Sequence, residues 1–418
     1  MSAHSQQNHT PALVVLTTLF FMMGFITCMN DILIPHLKDI FTLTNFQAML
    51  IQFCFFTAYA IMSIPMGFLV GKIGYKSGVI GGFLLTAVGC LLFYPAADSQ
   101  SYPTFLGALF ILASGVTLLQ VSGNPYVTLL QVSGNPYVTL LAKPGKESAT
   151  LTLVQAFNSL GTTIAPKIGA FLIFTDAAQK ASKAEQIASV QIPYLGLAGL
   201  LILLAVFVKM IRLPDARKIA VEESEHNHDD KYSVWQYKHL VFGVVGIFCY
   251  VGAEVSIGSF MVNILGFLKG LSHAEGADML TYYWGGAMFG RFLGSAVMTR
   301  VAPNRYLAFN ASVATALLVI AIMVGKGNAD VAMWALVAIG FFNSIMFPTI
   351  FSLATKNLGK FTNSASGILC TAIVGGALIP LLQGKIADDF GMMISYVAPA
   401  VCYLYIVFFA LKGYKADE

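Results

Sequence analysis

RLPDARKIAVEESEHNHDDKYSVWQYK, residues Arg212–Lys238, is the longest polar stretch in a chain of 418 residues that is otherwise mostly apolar. Apolar runs of about 20 residues recur on both sides of it, and a run of that length crosses a bilayer as an α-helix. The predicted spans are 12–36, 46–70, 77–96, 103–130, 149–174 and 192–211 before the stretch. After it they are 239–268, 278–299, 306–325, 331–354, 363–384 and 393–411. Six spans on each side predict an all-α membrane protein of twelve transmembrane helices. An N-terminal bundle, 1–211, and a C-terminal bundle, 239–418, are joined by a linker, 212–238.

Composition agrees. The chain is 57% hydrophobic and 11% charged, whereas a soluble domain averages about 25% charged residues. The polar start MSAHSQQNHTPA leads into an apolar run without a small-residue cleavage site, so no cleavable signal peptide is expected. Cys28, Cys54, Cys90, Cys249, Cys370 and Cys402 fall singly within spans and read as packing residues. No nucleophile–base pair or metal-ligand cluster stands out, so neither an enzyme nor a bound cofactor is expected. The net charge of +4 gives no reason to invoke nucleic acid.

That charge is distributed unevenly. Sixteen Lys and Arg fall in one set of loops and tails and six in the other, with Lys167 and Arg291 inside spans. The positive-inside rule then places both termini and the linker in the cytoplasm.

Two acids sit alone in apolar surroundings: Asp31 within LTTLFFMMGFITCMNDILI and Glu254 within FGVVGIFCYVGAEVSIGSF. An intramembrane carboxylate is costly and marks a functional site by default. Placed in opposite halves, the pair suits a central site for a coupling ion; the plainer reading is a buried structural hydrogen bond. Amides supply further polar groups. Gln155 and Asn158, three apart, share a helix face and can both donate and accept, which suits sugar hydroxyls; interhelical bonding is the rival. Asn30, Asn343 and Phe347 are similar candidates. Tyr283 and Trp284 offer rings to stack on a sugar or to anchor at the membrane interface. Arg291, in GGAMFGRFLG, reads as a gating or interface residue.

TLLQVSGNPYV occurs twice in succession, Thr117–Val127 and Thr128–Val138. The identity marks a recent tandem duplication or an error of sequence assembly. Eleven residues are about three helical turns, so the second copy keeps nearly the face of the first. The fourth span becomes too long for a bilayer, and Pro125 and Pro136 each break its hydrogen-bond ladder; it is expected to kink and overshoot into the cytoplasm, or to extrude one copy. Counting from the outer end selects Gln120 as the membrane-central glutamine; counting back from the following turn selects Gln131.

A repeat links the two halves. NPYVTLLAKPGKESATLT from Asn135 and FPTIFSLATKNLGKFTNSAS from Phe347 both run from a proline through a lysine-bearing turn into a Ser/Thr-rich helix. Parallel six-span repeats are the architecture of the major facilitator superfamily. NDILIPHLKDIFTLTNFQAMLIQF, NPYVTLLAKPG, QAFNSLG, FCYVGAE, GRFLG and PTIFSLATKNLG extend the likeness along nearly the whole chain. On these motifs the sequence resembles the fucose:proton symporter family of that superfamily, on its glucose/galactose transporter branch.

The resemblance implies a sugar symporter in a bacterial inner membrane, working by alternating access on a monosaccharide and functioning as a monomer within the lipid bilayer. Asp31 matches the family's first-span acid, Gln155 and Asn158 its cavity amides, and Phe347 a tenth-span aromatic. Where the fucose symporters carry a fourth-span acid, this chain has Gln120 or Gln131; where they have an amide, it has Glu254. That exchange favours sodium over a proton, with Asp31 and Glu254 as the possible sodium ligands. The alternatives are proton-coupled symport of fucose or an amino sugar, efflux of an apolar compound, and a non-transporting membrane sensor on the same fold.

Overall fold

The computed structural model describes residues 10–42, 45–132, 147–173, 190–211, 233–271, 273–358 and 361–416. Six helices precede the linker: α1 (Thr10–Phe41), α2 (Asn45–Ile73), α3 (Tyr75–Asp98), α4 (Tyr102–Val132), α5 (Glu147–Ile173) and α6 (Gln191–Met210). Eight follow it: α7 (Lys238–Lys269), α8 (His273–Met298), α9 (Pro303–Val324), α10 (Ala329–Asn343), α11 (Met346–Ala354), α12 (Thr362–Thr371), α13 (Gly375–Phe390) and α14 (Val397–Phe408). The twelve expected spans are all helical, but two are in pieces. The tenth divides into α10 and α11, and the eleventh into α12 and α13 with a 3₁₀ turn, Ala372–Val374, between them.

Among the described residues, nine spans are long and apolar enough to cross a bilayer. The described part of α1 adds the shorter apolar stretch Val14–Met29. The two remaining spans, α5 and α8, are more polar because they face each other across the middle of the molecule. In the N-terminal half α3 packs on α4 and α6, α2 on α4, and α1 on α5. In the C-terminal half α7 packs on α11, α13 and α14, and α10 on α8 and α9. The halves meet where α5 lies against α8 and α11, and where α12 lies against α2 and α4. Large apolar side chains such as Phe68, Leu203, Met210 and Met323 stay exposed on the outer surface. Lipid would cover that surface, which gives no hydrophobic drive to bury them, so close packing of small residues holds the helices together. The α1–α5 contact shows this: a Cβ on Gly24 would stand 2.0 Å from the Asn158 carbonyl oxygen, and one on Gly161 would stand 2.2 Å from that of Phe21.

The break in the tenth span has a chemical cause. Pro348 has no N–H and cannot bond the carbonyl of Ser344, four residues back. The chain turns at Ser344 and Ile345 before α11 begins. In α4, Pro125 deprives Val121 of its helical donor in the same way, yet the helix continues to Val132. The helix runs through Pro125 into the second copy; residues 133–146, including Pro136, lie outside the described residues.

The register of α4 is fixed ahead of the duplication. A Cβ at Gly115 would fall 2.3 Å from the backbone nitrogen of Thr86 on α3. Sliding the helix by eleven residues would put Tyr126 at that contact, which has no room for a side chain. Gln120, in the first copy, thus packs among the bundle helices, while the side chain of Gln131 lies outside the described residues. Most of the linker, 212–232, lies outside the described residues, as does the side chain of Lys167.

Candidate functional site

On the N-terminal side, α4 and α5 carry a chain of amides. Asn124 Nδ2 donates to Gln120 Oε1 at 2.9 Å, one turn apart. Gln155 Nε2 donates to Asn124 Oδ1 at 3.2 Å. The Tyr59 phenol of α2 lies against Gln120. Asn158 Nδ2 donates to the Phe20 carbonyl at 3.0 Å, tying α5 to α1. Asn158 is half-buried; its donor end serves as an interhelical tie.

On the C-terminal side, Tyr250 donates to Glu254 Oε1 at 2.7 Å. Tyr283 donates to the Glu254 backbone carbonyl at 3.3 Å. Asn343 Nδ2 donates to the Tyr283 hydroxyl at 2.8 Å, and Tyr403 donates to Asn343 Oδ1 at 2.6 Å. This network joins α14, α10, α8 and α7. Asn343 and Tyr283 are fully buried within their own half, and both ends of the Asn343 amide are taken. Phe347 is buried against Phe351 and tilted to Tyr250, with ring centres 6.1 and 6.3 Å away. The half-buried Trp284 stands edge-on to Tyr283 at 5.1 Å.

The two sides meet along α5 and α8. Arg291 Nη1 donates to Ser159 Oγ at 2.6 Å and to the Gln155 carbonyl at 3.2 Å, and its Nε donates to the Ser344 carbonyl at 3.0 Å. Ser295 Oγ donates to the Ala149 carbonyl at 2.9 Å, and the hydroxyls of Ser148 and Ser352 touch. Ser366 Oγ donates to the Val121 carbonyl at 3.3 Å. Both carbonyls freed by prolines, Ser344 and Val121, are thus used at the meeting of the halves. Among the described residues, these cross-half bonds run from mid-helix to the end where α11 stops and α5 starts. That end carries the lysine-rich turns. Asn30 and Asp31 lie on α1 and Gln131 on α4, but their side chains lie outside the described residues.

The Major Facilitator Superfamily model matches residues 14–380. The chain belongs to the major facilitator superfamily. Two superfamily relatives are similar along most of their length. A protein of Brucella abortus biovar 1 (strain 9-941) named glucose/galactose transporter is 52% identical over 416 residues, covering 99% of this chain and 96% of that one. The L-fucose-proton symporter of Escherichia coli (strain K12) is 33% identical over 419 residues, covering 95% and 91%. Among solved structures, the superfamily transporter FucP in its outward conformation matches with a TM-score of 0.82 and 32% identity, covering 97% of this chain and 99% of that one. The proton:xylose symporter XylE, at 13% identity and a TM-score of 0.77, shares the fold.

Four residues of this candidate site were not singled out in the sequence. Asn124 follows Gln120 by four, and Tyr250 precedes Glu254 by four; helical spacing alone would have flagged both. Ser159 sits inside the quoted QAFNSLG. Tyr403 gave no signal, since its role depends on its hydroxyl reaching Asn343 from a helix distant in the chain.

Proposed function

We propose that this protein imports a hexose of the glucose/galactose type by cation symport through alternating access, with sodium favoured as the coupling ion. The amide chain Gln120–Asn124–Gln155, set beside the seam between the halves, carries the reading: amides offer paired donors and acceptors to vicinal hydroxyls. Half-buried Trp284 supplies an aromatic edge, while Asn30, Asn158 and Phe347 complete the proposed sugar set. The relative named glucose/galactose transporter supports the substrate class. Asp31 and Glu254 are the proposed cation ligands, Glu254 offering a carboxylate one turn from Tyr250 on α7.

In this reading the two bundles, 1–211 and 239–418, rock about the central site with the lysine-rich end facing the cytoplasm of a bacterium. One carboxylate from each half lets a cation draw the halves together only when both are engaged. Two nearby carboxylates otherwise repel. A second reading, proton symport, is favoured by the 33% identical relative named L-fucose-proton symporter.

The test is uptake of labelled glucose, galactose, fucose and N-acetylglucosamine into proteoliposomes, with sodium and proton gradients imposed separately. Glucose or galactose accumulation under the sodium gradient alone is expected. By linkage, sodium should raise sugar affinity by the factor by which sugar raises sodium affinity. Full accumulation in sodium-free buffer under a proton gradient would overturn the sodium assignment.

A further inference from the structure

Arg291 is a cation buried at the seam, and the oxygens that hold it are neutral. They are a hydroxyl and a carbonyl of α5 and the carbonyl of Ser344 that Pro348 leaves without a helical donor. Among the described residues the ion pairs are Lys269–Asp330 and Lys385–Asp389, both on the surface and away from it. Two of the three acceptors belong to the other half. When α5 moves off α8, those two leave, and the guanidinium keeps one protein acceptor, with only water to replace the others unless a carboxylate takes it.

A carboxylate is available in its own half. Glu254 is on α7, which packs on α8. Tyr283, two turns before Arg291 on α8, already bonds the Glu254 backbone, so the helices bearing the arginine and the carboxylate are joined at the level of Glu254. A charge-assisted bond to a carboxylate is about twice as strong as a neutral one.

We propose that Arg291 exchanges partners during the cycle: the α5 acceptors hold it while the lysine-rich end is closed, and Glu254 takes it when that end opens. Arg291 is then a positioning residue that works through Glu254. Where Glu254 is a cation ligand, a step that rests on the proposed function, the arriving guanidinium replaces the cation and drives its release at the open end.

The test reads the opening itself. Ser295 is buried at the seam with its hydroxyl on the Ala149 carbonyl, so a Ser295→Cys reporter is alkylated only when the end opens. Its alkylation by N-ethylmaleimide is followed by peptide mass spectrometry in proteoliposomes, without sugar and with choline replacing sodium. Glu254→Gln should slow alkylation on the order of tenfold, because the open state loses its charged partner. Arg291→Gln should speed it by a similar factor, because the closed state loses its bolt, and Glu254→Gln added to Arg291→Gln should change nothing more. Ser159→Ala, a milder loss on α5, should also speed it. Unchanged or faster alkylation in Glu254→Gln overturns the partner exchange. A merely structural Arg291 would not make the two single variants move in opposite directions. Since neither sugar nor sodium is present, the outcome does not depend on whether Glu254 binds the coupling cation.

Discussion

Tyr250 and Glu254 stand one turn apart on α7, with the phenol donating to the carboxylate at 2.7 Å. A hydrogen bond to a charged group is worth about 1.5–3 kcal/mol, against about 0.5–1.5 kcal/mol for a neutral pair. Tyr250→Phe should therefore lower thermal stability in detergent more in the wild-type background than in Glu254→Gln. Equal losses in both backgrounds would mean that Glu254 is not charged beside Tyr250 in the folded protein.

The two amide systems should respond differently. Gln155→Ala removes one end of the Gln120–Asn124–Gln155 chain and should weaken sugar binding by about 1–3 kcal/mol, the cost of leaving partners unpaired. Asn343→Ala breaks the Tyr283–Asn343–Tyr403 network and should lower stability while leaving sugar affinity within about twofold, since surface-independent sites add separately. Calorimetric titration of both variants with sugar decides this; a large affinity loss in Asn343→Ala would restore that residue to the binding set.

Asp31→Asn should abolish accumulation against a gradient while counterflow exchange of sugar persists, because an amide adds no negative charge to a cation site. Comparing the two assays on one proteoliposome preparation is sufficient. Normal accumulation would remove Asp31 from coupling.

Deleting Thr128–Val138, which gives the same sequence as deleting Thr117–Val127, should leave uptake at or above the wild-type level. The register of α4 is set by Gly115 against Thr86, ahead of either copy, and the deletion turns the rest of the helix by only about 20°. Gly115→Val should instead prevent folding, as its Cβ would lie 2.3 Å from the Thr86 nitrogen. Loss of folded protein in the deletion would show that the second copy is structural.

Pro348→Ala gives Ser344 back its helical donor. α10 and α11 should join, Arg291 should have to share its carbonyl, and thermal stability should rise by up to about 3 kcal/mol. Transport should slow, because the freed carbonyl is one of the three groups that hold the arginine. Unaltered transport rates in a stabilised variant would separate the helix break from the cycle.

The all-helical fold and its spans were legible because a bilayer leaves few options: a run of about 20 apolar residues has to be a helix. The superfamily was legible for the same reason, through the repeat and the long motifs. The partners of each polar residue were not. Asn343 and Gln155 look alike in sequence, both amides in spans with aromatic neighbours; one is closed off by tyrosines from two other helices and the other reaches Asn124. That difference comes from packing between segments distant in the chain. The glutamine ambiguity likewise had no local solution, since the copies are identical and Gly115, which sets the register of α4, lies outside them.

The break at Ser344–Ile345 divides the tenth span into two parts with different attachments. Outward of it, α10 is stapled to α7, α8 and α14 by Asn343 and its tyrosines; inward of it, the nine residues of α11 carry the Ser352 contact to α5. The half is therefore better described as a jointed arm than as a single lever. Its forearm can swing away from α5 while the upper arm keeps every bond of the tyrosine network. Opening at the lysine-rich end then leaves the interior of that half undisturbed, and sequence drift in the network would alter shelf life before it altered turnover.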